Sequence, residues 1–188
     1  MGTEQLEQAF SSTRAVLVNV TADQMDLPTP CASWNVRGLV NHIVGTSHYF
    51  AATVTAGKAV ESASEGDWAS GEIVKSFDEG VAASLEAFGA EGAEEKMVEL
   101  PFGTLPGAIF MAVASNDAFT HGWDLARATG QSTDLDTALA EALLGIAQFA
   151  ISEEFRGEDG VAPFGPVREA PDGGTAADRL AAFMGRTV

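Results

Sequence analysis

One helix, predicted to begin at Leu105-Pro106-Gly107 and to end at Gly130, constrains this fold more than any other stretch of the sequence. Proline is tolerated in a first helical turn because its missing N–H would have no partner there. Gly130 is well placed to end the helix in a left-handed C-cap. A broad apolar surface predicts a central, buried helix. The apolar residues are Ile109, Phe110, Val113, Ala114, Ala118, Phe119 and Leu125.

Ionisable side chains interrupt this apolar pattern in the second half of the helix. Asp117 and His121 are four residues apart. At 3.6 residues per turn that spacing rotates the side chain by only about 40°, so the carboxylate and the imidazole project side by side. Burying a lone charge costs more than the stability margin of a typical protein, so these groups need partners. One bound cation could satisfy both.

Apolar residues at helical spacing predict three helices before the central one. The first covers residues 3–21. The second begins with Ser33 as its N-cap and runs to about Ala56, and the third extends from about Glu72 to Phe88. Residues 58–71, between the second and third helices, are small and polar and predict a loop, of a length that often forms functional lids.

The remaining segments predict a short extended stretch, two further helices and an irregular segment between them. Residues 96–101 are expected to be briefly extended, and a fifth helix capped by Asp134 or Asp136 should fray near Phe155. A glycine- and proline-rich segment from 156 to 174 follows. Thr175-x-x-Asp178 resembles a capping box that starts a short last helix, ending at Met184. We expect residues 1–188 to form one domain, with the tail from 156 to 188 packed on the bundle.

The charge balance excludes nucleic-acid binding. Ten Lys and Arg residues against 27 Asp and Glu residues give a net charge of −17, which repels nucleic acid and anionic membrane surfaces. The single cysteine, Cys31, cannot form an intrachain disulfide, and no apolar run near the N-terminus resembles a signal peptide or membrane span. We therefore expect a cytoplasmic protein that binds neither nucleic acid nor membrane.

His42 adds a third candidate ligand, because it lies between Leu39 and Ile43 on the apolar stripe of the second helix. Metal sites in helical bundles are built by inward-projecting side chains on facing helices, and His42, Asp117 and His121 are the set that this sequence offers. The alternative is a buried histidine that bonds to a backbone carbonyl, which is the commoner arrangement. His48 is about 120° around the axis from His42, so we do not expect it to serve the same ion.

Other polar and aromatic residues near these positions each allow a functional and a structural interpretation. Asp124 could orient a ligand histidine, or it could pair with Arg127 or another cation. Trp34 and Trp123 are expected to pack rather than to bind substrate, because indole rings bury a large area. Cys31 could be a reactive thiol near the entrance of the second helix, but an inert, partly buried cysteine is expected, because no base is apparent near it in the sequence.

Three sequence runs carry a resemblance to a known family. The chain resembles the actinobacterial metal-binding branch of the DinB-like superfamily, which is similar to the N-terminal domain of mycothiol-dependent maleylpyruvate isomerase. The likeness covers nearly the whole chain, and its most specific part is the run from His121 to Asp124. The runs are Trp34-x-Val36-x-x-Leu39-x-x-His42, then Asp117-x-x-x-His121-Gly122-Trp123-Asp124-Leu125-Ala126-Arg127-Ala128-Thr129-Gly130, then the tail with Phe164-Gly165, Val167, Pro171, Asp178-Arg179-Leu180 and Phe183-x-Gly185-Arg186.

The resemblance implies an all-α, DinB-like four-helix bundle with an additional C-terminal helix and an irregular tail. It also implies a divalent metal, zinc first and nickel second, held by His42, Asp117 and His121. The isomerase pattern has glutamate where this chain has Asp117, so the shorter side chain must bring the helix closer, coordinate through water or bind more weakly.

From this ligand set and the resemblance, we expect a metal-dependent transferase or isomerase. It would use a low-molecular-weight thiol such as mycothiol on a small electrophile. Three protein ligands and an open position are typical of a catalytic zinc site, and a coordinated thiol is deprotonated. One alternative is a non-catalytic metal- or small-molecule-binding protein, and another is a vestigial bundle with a hydrogen-bonded core cluster. A homodimer is a reasonable expectation by analogy with such bundles.

Overall fold

The computed structural model describes residues 2–157, 161–162 and 164–188. Its helices are α1 (Glu4–Leu17), α2 (Val36–Ala56), α3 (Ile73–Gly89), α4 (Gly107–Thr129), α5 (Thr137–Ala150) and α6 (Ala176–Phe183), and its strands are β1 (Met97–Leu100) and β2 (Gly103–Pro106). α2 packs along α3, α1 packs along α4, and α2 also contacts α4. α5 and α6 pack on each other and on α4. The predicted all-α four-helix bundle with an added C-terminal helix is confirmed.

The helix α4 is central, as its apolar pattern predicts. Phe119, Trp123 and Leu125 are fully buried within one continuous apolar core that draws side chains from all six of these helices. Gly130 ends the helix in the left-handed conformation with φ 70°, where its N–H donates to Ala126 O. Of the two candidate ligands on this helix, His121 is buried and Asp117 lies at the edge of the buried region.

The predicted N-cap of α2 was wrong by two residues. The helix begins at Val36, and the cap is Asn35, whose side chain accepts a hydrogen bond from Gly38 N–H at 3.0 Å. Asn35 is extended and pairs with Pro28 in an isolated bridge, which holds the connector away from the helical path. As a result Trp34 lies in the connector, outside the helix.

The short extended segment before α4 is one strand of a hairpin. β1 and β2 pair antiparallel, with Val98 opposite Leu105. Glu99 also exchanges backbone hydrogen bonds with the end of α2, accepting from Ala59 N–H at 2.8 Å and donating to Gly57 O at 2.9 Å. The hairpin turn carries Phe102, a half-exposed aromatic residue that this pairing fixes beside α2 and α4.

Two helix ends differ from the sequence prediction. α1 ends at Leu17 rather than at residue 21. α5 ends at Ala150, and the stretch predicted to fray contains a separate 3-10 turn at Glu153–Phe155. The residue after α5, Ile151, is extended, which stops the helix before the turn. The predicted irregular segment from 156 to 174 falls partly outside the described residues, at 158–160 and 163.

The capping box at the start of α6 is confirmed. Asp178 N–H donates to Thr175 Oγ1 at 3.0 Å, and Thr175 N–H donates to Asp178 Oδ2 at 3.1 Å. The other oxygen of Asp178 accepts from Trp123 Nε1 at 2.9 Å, which ties α6 to α4. After α6, Gly185 takes φ 95° against the backbone of Gly165, where a Cβ would have no room. This turn sends the following residue back towards the bundle.

None of the described helices has the combination of length and apolar character that a bilayer crossing requires.

Candidate metal centre

His42, Asp117 and His121 meet between α2 and α4. Asp117 Oδ1 is 3.4 Å from His42 Nε2 and 3.5 Å from His121 Nε2, and the two imidazole ring centres are 4.5 Å apart. The four-residue spacing on α4 places Asp117 and His121 on one face, and α2 supplies His42 from across the interface. One carboxylate oxygen therefore faces both imidazole nitrogens.

These separations fit direct coordination of one cation. With Zn–N bonds of about 2.0–2.1 Å and Zn–O bonds of about 2.0–2.2 Å, two ligand atoms of a tetrahedral site lie roughly 3.3–3.5 Å apart. The observed 3.4 and 3.5 Å from Asp117 Oδ1 match that edge length. The distances are therefore compatible with direct coordination by the shorter aspartate side chain.

The centre is enclosed on one side and open on the other. The side chains of His42 and Asp117 are about one quarter exposed, and that of His121 is 11% exposed. A cavity of about 520 Å³ opens beside His42 and Asp117. A cation held by the three side chains would keep a coordination position facing this cavity.

The ionisable groups stabilise each other's charged forms. Burial alone would raise the pKa of Asp117, but the attraction of His42 and then of His121 is together stronger and leaves that pKa well below its usual range. Burial would likewise lower the pKa of His121, yet Asp117 and Asp124 raise it well above its usual value. His121 thus offsets the charge of Asp117, and a metal cation at the centre would offset it instead.

Asp124 lies behind His121, and its side chain is fully buried. His121 Nδ1 donates to Asp124 Oδ2 at 3.0 Å, which fixes the tautomer that leaves Nε2 directed at Asp117. Arg186 donates two hydrogen bonds to the same carboxylate, from Nη2 to Oδ2 at 2.9 Å and from Nε to Oδ1 at 3.2 Å. Although burial opposes it, the charge of Arg186 and the bond from His121 lower the pKa of Asp124 far below normal.

Both predicted roles of Asp124 are therefore present at once. It orients a candidate ligand histidine, and it pairs with a cation. The cation is Arg186 of the C-terminal tail and not Arg127 of the same helix. The sequence did not single out Arg186, and the signal that could have identified it is its place in the Gly185-Arg186 pair of the family-like tail.

Cys31 lies closer to these groups than the sequence suggested. Its thiol donates to Asp124 Oδ2 at 3.1 Å, and Sγ is 3.9 Å from His121 Nδ1. The expectation that no base is near Cys31 was wrong, because the connector before α2 folds back over α4. Cys31, His121 and Asp124 consequently form a second group of potential metal ligands.

The position of the Arg186 guanidinium distinguishes the two groups of potential metal ligands. Its Nη2 is 2.9 Å from Asp124 and 3.5 Å from Cys31 Sγ, so a positive charge already stands beside two of the three atoms. A metal ion bound by Cys31, His121 and Asp124 would be repelled by the nearby guanidinium of Arg186. Among the described residues, no Lys or Arg lines the cavity beside His42 and Asp117. The geometry favours the group of His42, Asp117 and His121.

Trp34 packs as predicted, and its partners include the candidate ligands. Its ring stacks on His42, with centres 4.4 Å apart, and tilts against His121 at 5.7 Å. Trp123 is fully buried in the core, also as predicted. His48 stacks on Trp68 and places Nε2 2.9 Å from Ser76 O, away from the centre.

The fold and this centre define a DinB-like helical bundle with a candidate site for one divalent cation. A family model described as the mycothiol maleylpyruvate isomerase N-terminal domain matches residues 6–126, and the chain belongs to this family. The matched residues include His42, Asp117, His121 and Asp124, while Arg186 lies beyond them.

Two mycobacterial proteins are similar along their whole length. The uncharacterized protein Rv0738 of Mycobacterium tuberculosis (strain ATCC 25618 / H37Rv) is 37% identical over 188 residues, which is 100% of this chain and 97% of that protein. The uncharacterized protein MT0763 of strain CDC 1551 / Oshkosh gives the same values. No solved structure matches the chain.

Proposed function

We propose that the protein is a metal-dependent thiol transferase or isomerase that acts on a small electrophile. In this proposal His42, Asp117 and His121 hold a divalent metal ion, with zinc preferred and nickel second. The thiol is of low molecular weight, and family membership points to mycothiol. The proposal is carried by the position of Asp117 Oδ1, which lies 3.4 Å from His42 Nε2 and 3.5 Å from His121 Nε2.

The bound metal ion would supply one chemical function, the deprotonation of a coordinated thiol to a nucleophilic thiolate at neutral pH. The protein's own residues do the rest. Asp124 and Arg186 hold the His121 ring with Nε2 pointing at Asp117, and Trp34 stacks on His42 to fix the second imidazole. The neighbouring cavity of about 520 Å³ would hold the electrophile beside the thiolate and limit the access of water.

The donor set also supports a mononuclear site of the catalytic type. Two imidazoles and one carboxylate with an adjacent cavity form the arrangement of zinc enzymes that keep one position for water or substrate. A structural zinc site would instead close all four positions with protein ligands.

A non-catalytic binding protein is the second candidate, and it rests on the same cavity. Five of its lining side chains are aromatic, so a small molecule could bind by apolar contact with no reaction at the metal. Such a protein would show the same metal affinity and the same ligand affinity but no turnover.

Metal binding is tested first, on protein purified without a histidine tag. We expect metal analysis to give one zinc or nickel ion per chain, and thermal melting to show a stabilisation that chelator removes. His42→Ala should abolish both effects, while His48→Ala, which changes a histidine outside the centre, should leave both unchanged. A metal-free wild-type protein that stays indifferent to added Zn²⁺ and Ni²⁺ would end the proposal.

Catalysis is tested next with mycothiol and a panel of small electrophiles. We expect consumption of the thiol that depends on the metal and is lost in His121→Ala. Metal binding without turnover on any electrophile would favour the binding protein. Light scattering on the same samples tests the expected homodimer.

A further inference from the structure

The cavity beside the candidate metal centre has a composition that selects ligands by charge. Its walls come from α2, α4, the hairpin turn and the loop after α2. The aromatic side chains that line it are Trp34, Tyr49, Phe50, Phe102 and Phe110. A cavity of about 520 Å³ with such walls accommodates a ring system of two or three rings.

The charged groups in this lining are acidic, apart from His42. Glu61 lies at the rim on the 3-10 turn after α2, and Asp117 lies at the inner end. Among the residues that the structure describes, no Lys or Arg belongs to the lining. The cations on the surrounding helices and loop, Arg37, Lys58 and Arg127, are not among the lining residues. Two cations of neighbouring segments are engaged elsewhere, because Lys96 donates to Thr55 O and Arg186 is held by Asp124 behind His121.

This distribution penalises an anionic ligand. A carboxylate in a largely apolar cavity needs a cationic or hydrogen-bonding partner to offset its loss of water, and the lining has no side-chain cation to pair with it. The net charge of −17 adds a repulsive field for anions approaching from solution. An ammonium also loses water, but Glu61 and Asp117 offer it acidic partners, and an uncharged group meets neither penalty.

We infer that the walls of the cavity favour an uncharged or cationic apolar molecule over a carboxylate. A metal ion at the centre could pair with one carboxylate, so a maleylpyruvate-type dicarboxylate would still leave its second carboxylate without a cationic partner, and the electrophile is of a different class. This inference rests on the proposed function for the role of the ligand as electrophile, but the charge preference belongs to the cavity itself. A basic nitrogen of the ligand would lie towards Glu61, with the ring system between Trp34 and Phe110.

Tyr49 adds a neutral hydrogen-bonding group to the same lining. Burial raises the pKa of its hydroxyl, and the nearby Glu61 raises it further, although a hydrogen bond with Thr53 acts in the opposite direction. The phenol therefore keeps its proton at neutral pH and offers no negative charge of its own. It can hydrogen-bond to an uncharged polar group on the ligand.

The test uses three probes that share one ring system: naphthylmethylamine, naphthylmethanol and naphthoate. Calorimetric titration is done on the full-length, metal-free protein, because a bound metal ion could itself ligate the carboxylate. We expect the amine to bind about tenfold or more tighter than naphthoate, with the alcohol between them. Equal affinities, or tightest binding of naphthoate, would overturn the inference.

Two variants show whether the cavity is responsible. Glu61→Gln should reduce the advantage of the amine over the alcohol by about threefold, as expected for an exposed charge, while Glu91→Gln, an exposed acid outside the lining, should not change it. Phe102→Ala, at a half-exposed position that folding should tolerate, should weaken binding of both the amine and the alcohol by about fivefold. Unchanged affinities in both Glu61→Gln and Phe102→Ala would place the probes elsewhere and overturn the inference.

The outcome is separable from that of the proposed function. A protein that binds no metal can still show the charge preference, which would leave the cavity assignment intact. A protein that binds metal and turns over thiol but prefers naphthoate would lose only the assignment of the electrophile.

Discussion

Two groups of potential metal ligands share His121, one on each side of its imidazole ring. On the Nε2 side lie Asp117 and His42, and on the Nδ1 side lie Asp124 and Cys31. Each group offers a carboxylate within 3.5 Å of the ring. They differ in what already balances the carboxylate charge.

This difference shows why ligand type alone does not define a metal site. The charge of Asp117 is offset by His121, an imidazole that can give up its proton when a metal ion arrives. Asp124 is balanced by Arg186, whose guanidinium stays protonated in proteins and so cannot make way for a second cation by losing its charge. We therefore propose the first group as the metal site and the second as the group that orients His121.

The largest expected effect comes from removing that arginine. Arg186→Leu leaves the fully buried carboxylate of Asp124 without its cation, so we expect a loss of about 3–5 kcal/mol in the free energy of unfolding, measured by urea denaturation. The matched control is Arg179→Leu, at a half-exposed ion pair with Glu141, which should cost less than about 1 kcal/mol. Equal losses in the two variants would contradict the role given to Arg186.

A second large effect should distinguish the two groups directly. His42→Ala removes a ligand of the first group only. We expect it to weaken Zn²⁺ binding by more than about 100-fold, which exceeds the usual effect of losing a residue that only hydrogen-bonds to a ligand. Cys31→Ala removes a ligand of the second group only and should stay within about threefold of wild type. The measurement is competitive titration against a chelating dye, and the reverse order of effects would assign the metal to the second group.

An intermediate effect is expected at the residue that orients the shared histidine. Asp124→Asn keeps the shape but loses the charge, so His121 Nδ1 and Arg186 both have a weaker acceptor. We expect a loss of about 10–100-fold in metal affinity, as is typical of partners that hold a ligand histidine. A variant that folds, by circular dichroism, and binds Zn²⁺ as tightly as wild type would show that the orientation is not needed.

The smallest effect should come from lengthening the carboxylate of the first group. Asp117→Glu introduces the residue of the isomerase pattern, and because Asp117 already reaches both histidines, we expect a change of less than about tenfold in Zn²⁺ affinity. Asp117→Asn is the matched variant without charge and should bind at least tenfold more weakly than Asp117→Glu. A large gain in Asp117→Glu would mean that the aspartate does not coordinate directly.

Several features of the site could be predicted because they depend on neighbours in the sequence. The pairing of Asp117 with His121 follows from a spacing of four on a helix, and the helix itself follows from its apolar residues and its Gly130 stop. Ser33 and Asn35 are both good N-caps, so local preference could not choose between them. The choice was made by the pairing of Asn35 with Pro28, a contact of the folded connector.

The partner of Asp124 shows the opposite case. Arg127 is three residues away on the same helix, and Arg186 is 62 residues away, yet it is Arg186 that reaches the carboxylate. The cavity likewise joins Phe102 of the hairpin to Glu61 of the loop after α2. Contacts between distant segments depend on how the helices pack, and no period in the sequence records that packing.

The sequence by itself determined the helices, the buried position of α4 and the position of Asp117 beside His121, because these follow from periodicity and from the cost of burying charge. The arrangement of the helices as a DinB-like bundle was implied by the family resemblance. The tertiary structure decided which of the two carboxylates on α4 is available to a cation. The physical reason is that a permanent positive charge from the C-terminal tail lies against Asp124, while Asp117 faces an open cavity and two imidazoles that can themselves act as metal ligands.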